Sequence, residues 1–140
     1  MSDLSVFFAQ NAASEVIEEF AVSDRFKNKN GEPVLWQVRS MTEGENEECR
    51  KSATKRIKGK NGSYTTETNP DEYLAKLVVS SVVFPNLKDA ELQKSYGIMG
   101  AEALLRKMLR PGEYAALVQK VQALNGFDRN MDELVEEVKN

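Results

Sequence analysis

The sequence predicts an α+β fold: a β-hairpin near the N-terminus, which a third strand would extend to a three-stranded antiparallel sheet, followed by a compact bundle of short helices. Three observations predict it. Between Val16 and Val38 apolar residues recur at every second position on both sides of an Asn-Gly turn. From Pro70 onward the apolar spacing changes to three and four residues. Pro85, Gly97, Pro111 and Gly126 then fall at the ends of apolar segments, cutting the second half into short helices joined by tight turns.

The totals bound what such a chain can be. Its 140 residues suit one domain or one domain with a small appendage, and 41% hydrophobic against 29% charged residues suffices for a core. A net charge of −3 argues against a general phosphate-backbone binder, which needs a basic surface. Cys49 is the single cysteine, so no internal disulfide forms and a reducing compartment is the expected home. The absence of histidine removes Ser-His-Asp and Cys-His catalysis and the usual zinc sites. The four-residue apolar run Val6–Ala9 has no basic flank, unlike a signal peptide, and no run is long enough to span a bilayer, so a soluble protein kept inside a cell is expected.

Leu4, Phe7 and Phe8 at helical spacing, with Asp3 or Ser2 to cap them, make residues 1–15 either a short helix or an arm needing an outside surface. Residues 16–68 read as a small sheet with one surface helix. A two-residue Asn30-Gly31 loop would pair Phe26 with Leu35 and turn Trp36 to the opposite face. A three-residue Lys29-Asn30-Gly31 loop pairs Phe26 with Val34 and Val22 with Val38, keeping the even apolar residues on one face, and is preferred. Thr42-Glu43-Gly44-Glu45 has capping-box spacing. The helix it opens has acids early and bases late, as the macrodipole favours, and a narrow stripe of Cys49, Ala53 and Ile57. Tyr64–Thr68 would add a third, edge strand to the hairpin.

Residues 69–127 read as the helical bundle, all within a single domain. Asn69-Pro70-Asp71-Glu72 is a helix start with cap, proline and acids in order, and the wide apolar surface of Leu74, Leu77, Val78 and Val82 marks a central core helix running to Phe84. Further helices follow from about Lys88 to Tyr96, Gly100 to Leu109, and Pro111 to the Asn125-Gly126 stop. Residues 128–140 form a last short helix or a tail, with Leu134, Val135 and Val138.

No residue group carries chemistry. The adjacent acids Glu18-Glu19, Glu47-Glu48 and Glu136-Glu137 point apart rather than across a cleft, and solvated surface is the better reading. Ser80-Ser81 fall in the buried helix, where hydroxyls usually bond back to the backbone. Gly97 and Gly100 lack the strand and lysine of a phosphate loop. Lys51–Lys60 is the one basic cluster, and a charged helix face explains it better than nucleic acid, because acids share that helix. Met99 and Met108 would suit an adaptable binding face, though core gap-filling is the better reading of the residues alone. No catalytic, metal or cofactor residue is assigned.

The segments FKNKNGEPVLWQVRSMTEGENEECRK (26–51), DEYLAKLVVSSVVFPNLKDAELQKSYG (71–97), LRPGEYAALVQKVQALNGF (109–127) and ELVEEVKN (133–140) resemble the XkdN-like family of phage tail assembly chaperones, as does the opening around Leu4–Asn11. The resemblance runs in order along nearly the whole chain. It implies a small protein of an infected or lysogenic bacterium, acting in the host cytoplasm and encoded in the tail module of a phage or defective prophage. Such a protein would hold the tape measure protein soluble while tail tube subunits assemble around it, with the tube protein as a second partner. Families of this kind often make a longer product by translational frameshift. A holdase needs an apolar face kept soluble by charge rather than an active site, and the residues expected to supply it are Met99, Leu105, Met108, Leu134 and Val138. A structural tail or neck component, and a small nucleic-acid-binding regulator using the Lys51–Lys60 face, are the alternatives.

Overall fold

A computed structural model describes residues 3–12 and 15–127. The α+β class is as expected. Asp3 caps a single 3-10 turn, Leu4–Phe7, by accepting from Ser5 N at 2.9 Å, and Leu4, Val6, Phe7 and Phe8 are all exposed. The hairpin follows as β1 (Ile17–Phe20) and β2 (Trp36–Arg39). Its tip matches the three-residue loop: Asn28 N donates to Glu32 O, Val34 N to Phe26 O, and Gly31 takes a φ of 82°. The register nearer the sheet differs, because Val38 pairs with Glu18 and Trp36 with Phe20. Residues 21–26 leave the ladder and carry Val22 into the core. This offset is four residues relative to the tip, an even number, so the apolar residues stay on one face although Val22 and Val38 are not partners.

The helix opened by Thr42 is α1 (Glu43–Ser52), with both halves of the capping box made. It stops one turn earlier than expected. Thr54–Lys58 is a strand, β3, pairing with β4 (Tyr64–Thr68) in a separate two-stranded ribbon, so Ile57 leaves the Cys49–Ala53 stripe and Tyr64–Thr68 does not join the hairpin. The third strand of the main sheet comes from elsewhere. The central helix, α2 (Pro70–Ser81), is capped by Asn69 and ends before its β-branched tail, and Val82–Phe84 forms β5 beside β2 in the order β1-β2-β5. Stiff Val82 and Val83 before Pro85 suit a strand better than a helix. The remaining helices, α3 (Ala90–Ser95), α4 (Ala101–Met108) and α5 (Pro111–Leu124), lie where the turn residues place them.

The core sits where the inner face of the sheet meets α2, α4 and α5. Trp36 and Val38 project from β2, Leu77 and Val78 from α2, Leu104 and Leu105 from α4, and Leu117 and Val121 from α5, all essentially without solvent contact. Cys49 is buried, as a small hydrophobe would be, with its sulfur 3.4 Å from Ser80 Oγ. Ser81 does not bond back along the helix: its buried hydroxyl has no partner among the described residues.

Candidate functional site

The hairpin tip, the end of β5, α3 and the C-terminal end of α4 enclose an open apolar cleft of about 450 Å³. Its floor is Trp36 from β2 and Met108 from the end of α4, both nearly buried. Phe26 and Val34, brought opposite each other by the three-residue turn, form one wall. Phe84 and Pro85 form the second, and Leu92 of α3 with Tyr96, which caps the end of that helix, the third. Phe26 and Trp36 meet with ring centroids 6.3 Å apart in a tilted arrangement, and Phe84 remains half exposed at the lip. Such a concave aromatic surface takes an apolar side chain without directed chemistry.

Arg25 holds the cleft together. Its guanidinium bonds both carboxylate oxygens of Glu113 on α5, at 2.6 and 3.3 Å, donates to the Met108 carbonyl at 2.7 Å, and lies 5.0 Å from the Phe26 ring centre. The hairpin tip is thereby tied to the α4–α5 junction. Glu113 also accepts from Arg110 N at 2.8 Å, closing the first turn of α5. The hydrogen bond from Arg25, helped by those from Ser23 and the Arg110 backbone, lowers the Glu113 carboxyl to about 2. Away from the cleft, Glu45 at the start of α1 is lowered to about 2 in the same way, chiefly by Arg39 and then by the Thr42 backbone.

The expected site residues do not form one face. Met99 is 91% exposed beside Ile98, next to a shallow depression bounded by Ala90, Gln93 and Lys94. Leu105 is fully buried in the core cluster and presents no surface. Met108 is buried but forms part of the cleft floor. Leu134 and Val138 lie outside the described residues. The aromatic walls were not singled out in the sequence, although Phe26 and Trp36 already shared a face in the pairing pattern. Phe84 was hidden by its reading as the end of a helix. No group of three metal-ligating residues occurs among the described residues, and no helix among them is long and apolar enough to cross a membrane.

Fold and cleft together describe a small α+β protein with an accessible apolar, aromatic cleft. The model of the family described as phage XkdN-like tail assembly chaperone protein matches residues 4–139, and the chain belongs to that family. Membership gives it a role in phage tail assembly, in a family of assembly chaperones rather than enzymes. It is 30% identical to the uncharacterized protein YqbN of Bacillus subtilis (strain 168), over 99% of this chain and 93% of that one. It is 25% identical to the phage-like element PBSX protein XkdN of the same strain, over 99% and 94%. A crystal structure of the protein YqbN superposes with a TM-score of 0.78 at 26% identity, covering 91% of this chain and 99% of the other.

Proposed function

We propose that this chain binds the tape measure protein and keeps it soluble while the tail is built, in the cytoplasm of the bacterial host, with the tail tube protein as a second partner. The observation that carries this reading is the family match over residues 4–139. The apolar cleft supports it physically. If the client presents apolar helix faces before assembly, a groove walled by Phe26, Phe84 and Tyr96 would take anchoring side chains from such a face. Met108 contributes from the floor and Met99 offers a second, separate contact, while Leu105 supports the cleft from within the core. Leu134 and Val138 complete the proposed set.

The test is co-expression with the tape measure protein encoded in the same tail module. The expected outcome is a soluble client that co-purifies with this chain and is lost to the pellet when Phe84→Glu places a charge at the lip of the cleft. A client that stays insoluble with the wild-type chain contradicts the proposal. Absence of the chain from purified particles separates a chaperone from a structural tail component.

A further inference from the structure

The β3–β4 ribbon has almost no core beneath it. Every residue of β4 is exposed, as is β3 from Lys55 onward, with Ile57 and Tyr64 about half in solvent and Arg56 stacked on the Tyr64 ring. Two-stranded ribbons are only marginally stable in water, and a third strand is the usual remedy.

The ladder shows which backbone groups are free to accept one. Asn69 N donates to Ala53 O at 2.9 Å, and Gly59 N to Ser63 O at 2.7 Å. Hydrogen-bonded and non-bonded pairs alternate along an antiparallel ladder. In the observed register Lys55–Glu67 and Ile57–Thr65 are therefore the bonded pairs, and Thr54–Thr68, Arg56–Thr66 and Lys58–Tyr64 the non-bonded ones. The backbone N–H and C=O of Tyr64, Thr66 and Thr68 consequently point away from β3, toward an edge with no partner strand among the described residues.

The two edges of the ribbon differ in their protection. β3 carries Lys55, Arg56 and Lys58, the kind of charge that keeps an edge from pairing. β4 reads Tyr-Thr-Thr-Glu-Thr, β-favouring residues with one charge. We propose that β4 pairs antiparallel with β4 of a second copy of this chain, centred on Thr66, joining two ribbons into a four-stranded sheet. Charge decides the occupant. In this register Thr66 faces Thr66 of the second copy, Tyr64 faces Thr68, and Thr65 faces Glu67, so no charge meets its like. The equivalent β3 pairing centred on Arg56 would set guanidinium against guanidinium. The arrangement is a closed two-fold, and the basic outer edges stop it at two copies. Two five-residue strands make a contact well below the roughly 1,600 Å² of a standard interface, so the dimer dissociates on dilution.

Sedimentation of the full chain over a concentration series, with amide hydrogen exchange followed by NMR, tests the proposal. The expected result is a mass rising from one chain toward two, with exchange at Tyr64, Thr66 and Thr68 slowing by about tenfold when nine-tenths of the chains are paired. Thr65 and Glu67, already bonded within the ribbon, serve as references whose protection does not depend on the edge. Thr66→Pro removes one outward N–H without removing a bond of the ribbon, and it abolishes the mass increase while the references keep their protection. Thr66→Lys, which leaves every N–H in place but opposes two cations, gives the same loss and decides the matter where the proline variant disturbs the ribbon. A single-chain mass at every concentration overturns the proposal, as does a dimer unchanged in both variants. Protection of the three edge amides that ignores concentration, or that appears only when another protein is added, assigns the edge to a different strand and also overturns it.

Discussion

Replacing Leu105 by alanine separates the two roles this side chain could have. In the structure it is fully buried within the core cluster of α2, α4 and α5. Leu→Ala removes three carbons, worth about 2.4 kcal/mol at roughly 0.8 kcal/mol per buried methylene. The unfilled space adds to that, since fully buried leucines cost about 3–5 kcal/mol in such substitutions. A chain of 140 residues loses roughly 3–4 °C of melting temperature per kcal/mol, so Leu105→Ala is expected to lower it by about 9–20 °C. The same change at Met99, which is 91% exposed, is expected to move stability by less than about 0.5 kcal/mol. Urea unfolding followed by circular dichroism reads both variants, and equal slopes show that the midpoint shift is a stability change. A loss below about 1 kcal/mol for Leu105→Ala would refute its placement in the core. A loss above that for Met99→Ala would refute its exposure.

The remaining predictions concern charge and a buried hydroxyl. Glu45 and Glu113 are both lowered from 4.5 to about 2 in the folded chain, so the folded state holds these carboxylates ionised where the unfolded state would protonate them. Their contribution is present above pH 4.5 and is lost as the pH falls toward 2. Urea midpoints should therefore be level near neutrality and drop across that acid window, less steeply in a Glu45→Gln/Glu113→Gln double variant; an unchanged slope in the variant contradicts the assignment. Ser81→Ala is expected to stabilise the protein by a few tenths to about 1 kcal/mol, because the hydroxyl is buried without a partner. A clear destabilisation in thermal unfolding would show that Ser81 makes a bond not seen here.

The elements that local chemistry dictates were legible in the sequence. Thr42 with Glu45, Asn69 with Pro70, and Pro111 each satisfy helix starts within four residues of chain, and each helix begins where they stand. Gly31 and Gly97, both at positive φ, mark turns by the same local logic. The errors fall where partners distant in sequence decide. Cys49, Ala53 and Ile57 continue a helical spacing, yet Thr54–Lys58 is a strand because Tyr64–Thr68 returns alongside it. Val82–Phe84 continues the apolar face of α2, yet it pairs with β2, more than forty residues away in the chain. Met108, expected on a binding face because methionine repacks easily, lines the cleft, and Met99 stands apart from it. The aromatic walls were missed because Phe26, Phe84 and Tyr96 are brought together only by the tertiary fold. Leu105 was misread as surface since spacing alone does not say which side of a short helix faces the core.

The central claim is that a tail client is held in the aromatic cleft. Titrating isotope-labelled chain with soluble fragments of the tape measure protein, and mapping chemical-shift changes, tests it most directly. The account predicts saturable shifts at the amides of Phe26, Phe84 and Tyr96 and at the Met108 methyl, which vanish in Phe84→Glu. Shifts confined to the outer face of the sheet, or none at any fragment concentration, would contradict it.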